Sequence, residues 1–235
     1  MNRLWTATVA RRRALILLFM TVFLPLVAIG ELAEDVWAGA GLFFDRPILE
    51  GLHARATPTL DGIMLFFSHA GAPKPMVAFF IVVLVGLLIA RRRGDAAFFV
   101  VAVAGAMVLN FGAKILFGRA RPALWVSLAP ESDYSFPSGH AMGSMATVAA
   151  LVILAWRTRW RWPILILGSL FVALVGLSRL YLGVHYPSDV LTGWLASLAW
   201  VGGTGLIRSS TFLRGFIHLR RAAAPERQNP AYVDS

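Results

Sequence analysis

The chain has 235 residues, of which 58% are hydrophobic and only 14% are charged, and its formal net charge at pH 7 is +10. This composition excludes an ordinary soluble domain, because the hydrophobic residues stand in long blocks instead of recurring at an amphipathic period. The sequence contains no cysteine, which excludes disulfides and metal sites built on thiolates.

Six apolar blocks follow one another along the chain, and a bilayer-spanning helix needs about 20 mostly apolar residues. The blocks are Ala14–Gly30, Pro75–Ala90, Ala96–Leu116, Ala141–Trp156, Pro163–Leu177 and Val190–Ile207. The sixth is diluted by glycine and tryptophan but carries no charge. We therefore predict an all-α, polytopic membrane protein in which residues 14–207 form a single domain of six transmembrane helices.

The segments around the blocks add detail to this prediction. Arginines before the first block and small residues at its end resemble a secretory signal peptide, but the long apolar run favours an uncleaved anchor. Residues 31–74 mix apolar residues with acids, glycine and proline, which favours short helices in the outer membrane interface. The polar end of segment 208–235 predicts a disordered tail.

The charges are distributed unevenly along the chain. Fifteen of the 22 basic residues are arginines in the N-terminus, in every second loop and in the C-terminus, whereas nine of the 12 acidic residues fall in the other loops. The positive-inside rule therefore predicts that the basic segments 1–13 and 208–235 are both cytoplasmic. The charge reflects topology, and a nucleic-acid partner is not expected.

On this topology, three stretches bring basic residues and histidines to the outer ends of the spans. They read KILFGRARP (residues 114–122), PSGH (137–140) and SRLYLGVHYPSD (178–189). A helix start offers free N–H donors and a positive dipole end, so the amides of Ser138, Gly139 and His140 suit an anion. A guanidinium group can bind two phosphate oxygens at once through two parallel hydrogen bonds, and a lysine adds a point charge. The cluster therefore predicts a phosphate site.

Two histidines and one aspartate in these stretches supply groups for covalent chemistry. His185 and Asp189 share a face if the segment is helical, with Pro187 in the first turn, or a turn brings the carboxylate back to the imidazole. In either arrangement Asp189 holds Nδ1–H and leaves Nε2 as a nucleophile. His140 then serves as the acid for the leaving oxygen and as the base for water. No metal or other cofactor is required, since the cations supply positioning and charge stabilisation.

Together the three stretches resemble the three-part signature of the type 2 phosphatidic acid phosphatase (lipid phosphate phosphatase) superfamily. The matching positions are Lys114-x6-Arg121-Pro122, then Pro137-Ser138-Gly139-His140, then Ser178-Arg179-x5-His185-x3-Asp189. The resemblance is strong over residues 114–189, and it implies an all-helical core and metal-independent dephosphorylation through a phosphohistidine. It makes His185 the nucleophile, His140 the acid and base, and Asp189 the orienting carboxylate. The phosphate ligands that it implies are Lys114, Arg121, Ser138, Gly139 and Arg179.

Other polar residues near these stretches lie outside the signature. For Arg119, a contact with lipid headgroups is at least as good a prediction as a catalytic role. Loop residues that border the site are expected to be solvated; they are Glu131, Asp133 and Tyr134. Three histidines show no partner pattern and are expected at the interface or the surface; they are His53, His69 and His218.

The expected substrate is a phosphorylated lipid of the outer leaflet of a bacterial cytoplasmic membrane, and no obligatory protein partner is expected. Undecaprenyl pyrophosphate is the first choice by analogy, followed by phosphatidylglycerophosphate or phosphatidate. A lipid A phosphatase or a lipid phosphotransferase would use the same site. Vanadate-dependent haloperoxidases have similar residues but are soluble, which argues against them. An anion or lipid transporter would place its charges near the middle of the membrane instead of at span ends.

Overall fold

The described part of the chain is all-helical, as predicted. The structure is a computed structural model that describes Arg12, residues 15–39 and residues 41–209, and within these residues it has eight α-helices and no strand. The helices are α1 (Leu15–Trp37), α2 (Asp45–His53), α3 (Pro58–Ala70), α4 (Pro73–Ile89), α5 (Arg93–Phe117), α6 (Gly139–Ala155), α7 (Arg161–Tyr181) and α8 (Pro187–Ser209). The predicted N-terminal segment 1–13, except Arg12, and the predicted tail beyond Ser209 lie outside the described residues.

The helices agree only in part with the predicted six spans. Four of them, α1, α5, α7 and α8, are each long and apolar enough to cross a membrane. The short helix α3 and helix α4 pass the same test together as a pair bent by 48°, which makes a fifth candidate if the pair is one span. Helix α6 is apolar but has 17 residues, which gives a length of about 26 Å against a hydrocarbon core of about 30 Å. Six spans are therefore not confirmed.

The segment between the first two predicted spans is helical, as expected. Helix α1 continues past its predicted end to Trp37, and the short helices α2 and α3 follow. Helix α3 begins where Thr57 caps it, since the Thr57 side chain accepts a hydrogen bond from the Leu60 amide. Phe43, which precedes α2, is 91% exposed and Trp37 is 66% exposed.

Helix α6 lies at the centre of the molecule and packs against α5, α7 and α8. Its buried face consists mostly of small residues, which allow neighbouring helices to approach closely. Gly105 of α5 shows how close the packing is, because a Cβ there would lie 2.6 Å from the Trp200 ring of α8. Gly193 of α8 likewise faces the start of α6, where a Cβ would lie 2.9 Å from the carbonyl oxygen of Ser138. This packing fixes the start of α6 against α8.

The outer faces of the helices are apolar. Large exposed side chains include Leu17 on α1, Val82 on α4, Val108 on α5 and Leu167 on α7. A surface of this kind suits lipid rather than water as its surroundings.

Candidate active site

The three stretches singled out in the sequence meet at one end of the helix bundle. Lys114 lies in the last turn of α5, which ends at Gly118 because this residue adopts a left-handed conformation, with φ of 55°. The following loop, residues 118–138, returns the chain to the start of α6. The turn between α7 and α8 carries His185 to the same place.

His185 lies in this turn, fully buried, while Asp189 lies in the first turn of α8, which starts at Pro187. The carboxylate therefore reaches back to the imidazole, and of the two arrangements left open by the sequence, the turn is the one observed. Asp189 Oδ2 lies 3.4 Å from His185 Nδ1 and accepts a hydrogen bond of 2.8 Å from the Tyr186 amide and another from the Ser135 hydroxyl. Asp189 is thus placed to hold the Nδ1 edge of the imidazole.

The other imidazole nitrogen faces a cation. Nη1 of Arg121 lies 3.0 Å from His185 Nε2 and also donates to the Val184 carbonyl at 2.7 Å. Since a guanidinium only donates, Nε2 acts as the acceptor and the proton resides on Nδ1, towards Asp189. Burial lowers the pKa of His185, the neighbouring Asp189 opposes this, and Arg121 and Arg179 lower the pKa further. The imidazole is therefore neutral at neutral pH.

The start of α6 differs in one detail from the prediction. The amide of Ser138 was expected to be a free donor, but it donates to the backbone carbonyl of Asp189 at 3.1 Å. The Ser138 hydroxyl is buried and has no hydrogen-bond partner. The amides of Gly139 and His140, as the first two of the helix, have no acceptor within it. The site thus offers two amides and one unpaired hydroxyl.

The predicted phosphate-binding cations lie around the start of α6. Arg179 of α7 is 1% exposed, donates to Ser68 through Nη1 and to Glu131 through Nη2, and leaves Nε without a partner. Lys114 Nζ lies 2.6 Å from Asp133 Oδ2 and donates to the Tyr134 carbonyl at 2.5 Å. All eight predicted site residues therefore lie together.

Glu131 occupies the middle of this cluster, although it was expected to be a solvated loop residue. Its Oε2 lies 2.6 Å from Nη2 of Arg121 and 3.7 Å from Nε2 of His185. Its Oε1 pairs with Nη2 of Arg179 and lies 3.7 Å from Nδ1 of His140. The expectation was wrong because the loop folds inward, so that one carboxylate bridges two arginines and two histidines.

Asp133 also turns towards the cations but stays at the edge, with a side chain that is 60% exposed. It pairs with both Lys114 and Arg121. Partial burial alone would raise the pKa of Asp133, but hydrogen bonds and charge interactions with Lys114 and Arg121 lower it to about 2. Asp133 is therefore ionised at all physiological pH values.

Arg119 does not extend towards lipid headgroups but bridges two buried carboxylates. Its Nη1 lies 2.5 Å from Asp189 Oδ1 and its Nη2 lies 2.8 Å from Asp45 Oδ2, while its guanidinium stacks on the Tyr186 ring at 4.1 Å. Asp45, the first residue of α2, also accepts hydrogen bonds from the amide and the hydroxyl of Ser188 at 2.9 and 2.7 Å. Sequence reasoning missed Asp45 and Ser135, since no local pattern marks residues whose partners lie tens of positions away.

A cleft of about 820 Å³ opens from this site between α4, α5 and α6. Its polar end includes Lys114, His140 and His185, and its remaining walls are mostly apolar, with Phe80 and Met107 among them. A concave site with apolar walls and a few convergent polar groups is typical of a ligand-binding pocket. The shape suits a ligand with an anionic head and an apolar tail.

The chain is similar to known proteins in both sequence and structure. The sequence model of the PAP2 superfamily matches residues 95–210. An undecaprenyl-diphosphatase of Sulfolobus acidocaldarius is 30% identical over 192 residues, which cover 80% of this chain and 84% of that protein. Phosphatidylglycerophosphatase B of Bacillus subtilis is 29% identical over 172 residues, which cover 71% of this chain and 84% of that protein.

Two solved structures share the fold. The PAP2 type phosphatidylglycerolphosphate phosphatase of Bacillus subtilis superposes with a TM-score of 0.66 at 23% identity, covering 86% of this chain and 98% of that one. Aquifex aeolicus LpxE superposes with a TM-score of 0.58 at 24% identity, covering 71% of this chain and 95% of that one.

Proposed function

The chain belongs to the PAP2 superfamily and is a membrane lipid phosphatase of that type, and on this premise we propose that His185 is its nucleophile. The observation that carries the proposal is the pair of imidazoles around one anion position. His185 Nε2 and His140 Nδ1 each lie 3.7 Å from one of the two oxygens of the Glu131 carboxylate. An anion bound at that position would contact both rings.

The reaction takes two steps on these residues. In the first, His185 Nε2 attacks the terminal phosphorus, and the bond from that phosphorus to the leaving oxygen breaks. The leaving oxygen is the lipid ester oxygen in a monophosphate and the bridging oxygen in a pyrophosphate, and protonated His140 gives its proton to it. In the second, His140 takes a proton from water, whose oxygen attacks the phosphohistidine, and inorganic phosphate leaves with Nε2 restored. Asp189 stabilises the positive charge that develops on His185. The phosphate oxygens are held by Lys114, Arg121, Ser138, Gly139 and Arg179.

Two orphaned donors support the binding of a phosphate here. The Ser138 hydroxyl and Arg179 Nε are two of only four buried side-chain polar atoms without a hydrogen-bond partner among the described residues. A buried donor without a partner costs free energy, which a bound phosphate oxygen would offset. The three cations also repel a metal ion, and this supports a metal-independent phosphatase.

The cleft and the relatives support a lipid substrate of long apolar chain. We infer undecaprenyl pyrophosphate first, because the Sulfolobus relative and a second Bacillus relative, 27% identical over 166 residues, are named undecaprenyl-diphosphatases. Phosphatidylglycerophosphate comes next, and phosphatidate follows it, since the other Bacillus relative is a phosphatidylglycerophosphatase.

The topology follows from the charges and the helices together. We propose that α6, although short, is the span that makes six with the bent pair and the four long helices. Both termini are then cytoplasmic, the site opens on the outer face of a bacterial cytoplasmic membrane, and the domain covers residues 14–207. The basic residues that support this orientation include Arg92 and Arg159 in loops at the opposite end of the bundle from His185.

The experiment measures phosphate release by detergent-purified protein from undecaprenyl pyrophosphate, phosphatidylglycerophosphate and phosphatidate, with and without EDTA. His185→Ala is expected to lose at least about a thousandfold in kcat, as removal of a nucleophile does. His69→Ala is the matched control, since the His69 side chain contacts the Leu65 carbonyl in its own helix and lies outside the site. Full turnover by His185→Ala would refute the nucleophile, and loss of activity in EDTA would refute the metal-free reaction.

A further inference from the structure

Glu131 occupies the pocket that the proposed function assigns to the phosphate. Its two carboxylate oxygens pair with Nη2 of Arg121 and with Nη2 of Arg179. These two guanidinium groups are the ones that the proposed function assigns to the phosphate. A carboxylate and a phosphate cannot accept from the same N–H groups at once.

The pocket needs an anion even when it holds no substrate. Arg179 is 1% exposed, and a buried cation without a counterion is strongly unfavourable. Glu131 supplies one compensating negative charge beside Arg179, and Asp133 of the same loop supplies a second one at the edge of the pocket.

We propose that Glu131 is a resident counterion of the pocket, which the substrate phosphate displaces in order to bind. The proposal rests on the proposed function, because it takes the site of Arg121 and Arg179 as the phosphate site. Three cations, Lys114, Arg121 and Arg179, face two carboxylates before displacement. After displacement, the three cations face Asp133 and a phosphate monoester of charge close to −2, so that positive and negative charges balance.

The loop around Glu131 is anchored on both sides, so that the Glu131 side chain can move out of the pocket while the rest of the loop stays in place. On one side, Trp125 stacks on His53 with ring centroids 4.0 Å apart, and the Ser127 hydroxyl donates to the Leu182 carbonyl at 2.6 Å. On the other side, the Ser135 amide donates to the Arg119 carbonyl at 2.9 Å. Glu131 lies between these anchors with a side chain that is 24% exposed, so rotation of its side chain leads to solvent.

The test measures the inhibition constant of inorganic phosphate and the thermal unfolding midpoint in detergent for Glu131→Gln. A ligand that binds only the open pocket loses apparent affinity in proportion to the open fraction. We expect Glu131→Gln to bind phosphate about tenfold more tightly than the unmodified chain. This factor corresponds to an unmodified chain in which Glu131 leaves the pocket open in about one tenth of the molecules. Without phosphate the variant should unfold at a lower temperature, and phosphate should raise its midpoint more than it raises that of the unmodified chain.

Glu50→Gln is the matched control, because Glu50 is an exposed acid that pairs only with Arg46 one turn away. It should leave both measurements unchanged. Glu131→Asp is the second variant, since its shorter side chain keeps the charge but does not span both arginines, and it should give intermediate affinity. Unchanged or weaker phosphate binding in both Glu131 variants would overturn the counterion proposal. That outcome is distinct from failure of the proposed function, which would appear as full turnover by His185→Ala.

Discussion

The buried bridge of Arg119 between Asp45 and Asp189 offers the sharpest test of how the site is held. Arg119→Met removes the guanidinium and keeps an apolar side chain of similar length. Asp45→Asn keeps the shape of the carboxylate and removes its charge. Each variant is made alone and the two are then combined, which forms a double-mutant cycle on one pair of atoms, Arg119 Nη2 and Asp45 Oδ2, 2.8 Å apart.

The magnitudes follow from what each variant leaves behind. Arg119→Met leaves two carboxylates, Asp45 and Asp189, both buried without their cation, so we expect it to lose about 3–5 kcal/mol of unfolding free energy. Asp45→Asn leaves Arg119 paired with Asp189, and its loss should be nearer that of a charged hydrogen bond, about 1.5–3 kcal/mol. Once Arg119 is gone, neutralising Asp45 relieves one uncompensated charge, so the double variant should be less destabilised than the sum by about 1–3 kcal/mol.

The assay is unfolding in detergent followed by tryptophan fluorescence, with turnover measured on the same preparations. Arg119→Met should also lower kcat, because Asp189 loses a hydrogen-bond donor that fixes its carboxylate beside His185. Losses that add within about 0.5 kcal/mol would show that Arg119 and Asp45 act independently, and would refute the bridge.

Two further predictions concern single groups of the site. Ser138→Ala should raise the apparent KM for the lipid while leaving the unfolding midpoint nearly unchanged, because the hydroxyl that it removes is buried and makes no hydrogen bond; a large fall in the midpoint would contradict this. The pKa of Asp133 is lowered to about 2 in the folded chain from an ordinary value of 3.8, so its ion pairs stabilise the fold above about pH 4 and are lost as the pH falls towards 2. The midpoint difference between Asp133→Asn and the unmodified chain should therefore shrink over that range, and a constant difference would refute the assignment.

The sequence predicted that the candidate site residues lie together, because their meeting follows from the order of the helices. Helices that alternate in direction bring the end of α5, the start of α6 and the start of α8 to one end, so Lys114, His140 and Asp189 had to meet once the spans were counted. Glu131 and Asp45 could not be placed this way. Some of their partners lie 48 to 143 residues away, and the contacts depend on how a loop and a short helix fold over the site rather than on a repeating pattern.

The number of spans was harder to predict than their order. Hydrophobicity identifies apolar blocks but does not show where a helix ends, and α6 and α4 each have 17 residues. Helix α6 begins at Gly139, ahead of the predicted block Ala141–Trp156, and the chain just before it is held by the Asn110 side chain, which donates to the Pro137 carbonyl at 3.1 Å. Its 17 residues leave α6 shorter than α5, α7 and α8.

Asp189 does more than face His185, because it connects all three stretches of the site. Its backbone carbonyl accepts from the Ser138 amide at the start of α6, and its carboxylate accepts from Ser135 and Arg119, both in the loop after α5. The same carboxylate faces the imidazole in the turn before α8. Since one residue of α8 makes all of these contacts, Asp189 ties the turn before α8, the start of α6 and the loop after α5 to one another.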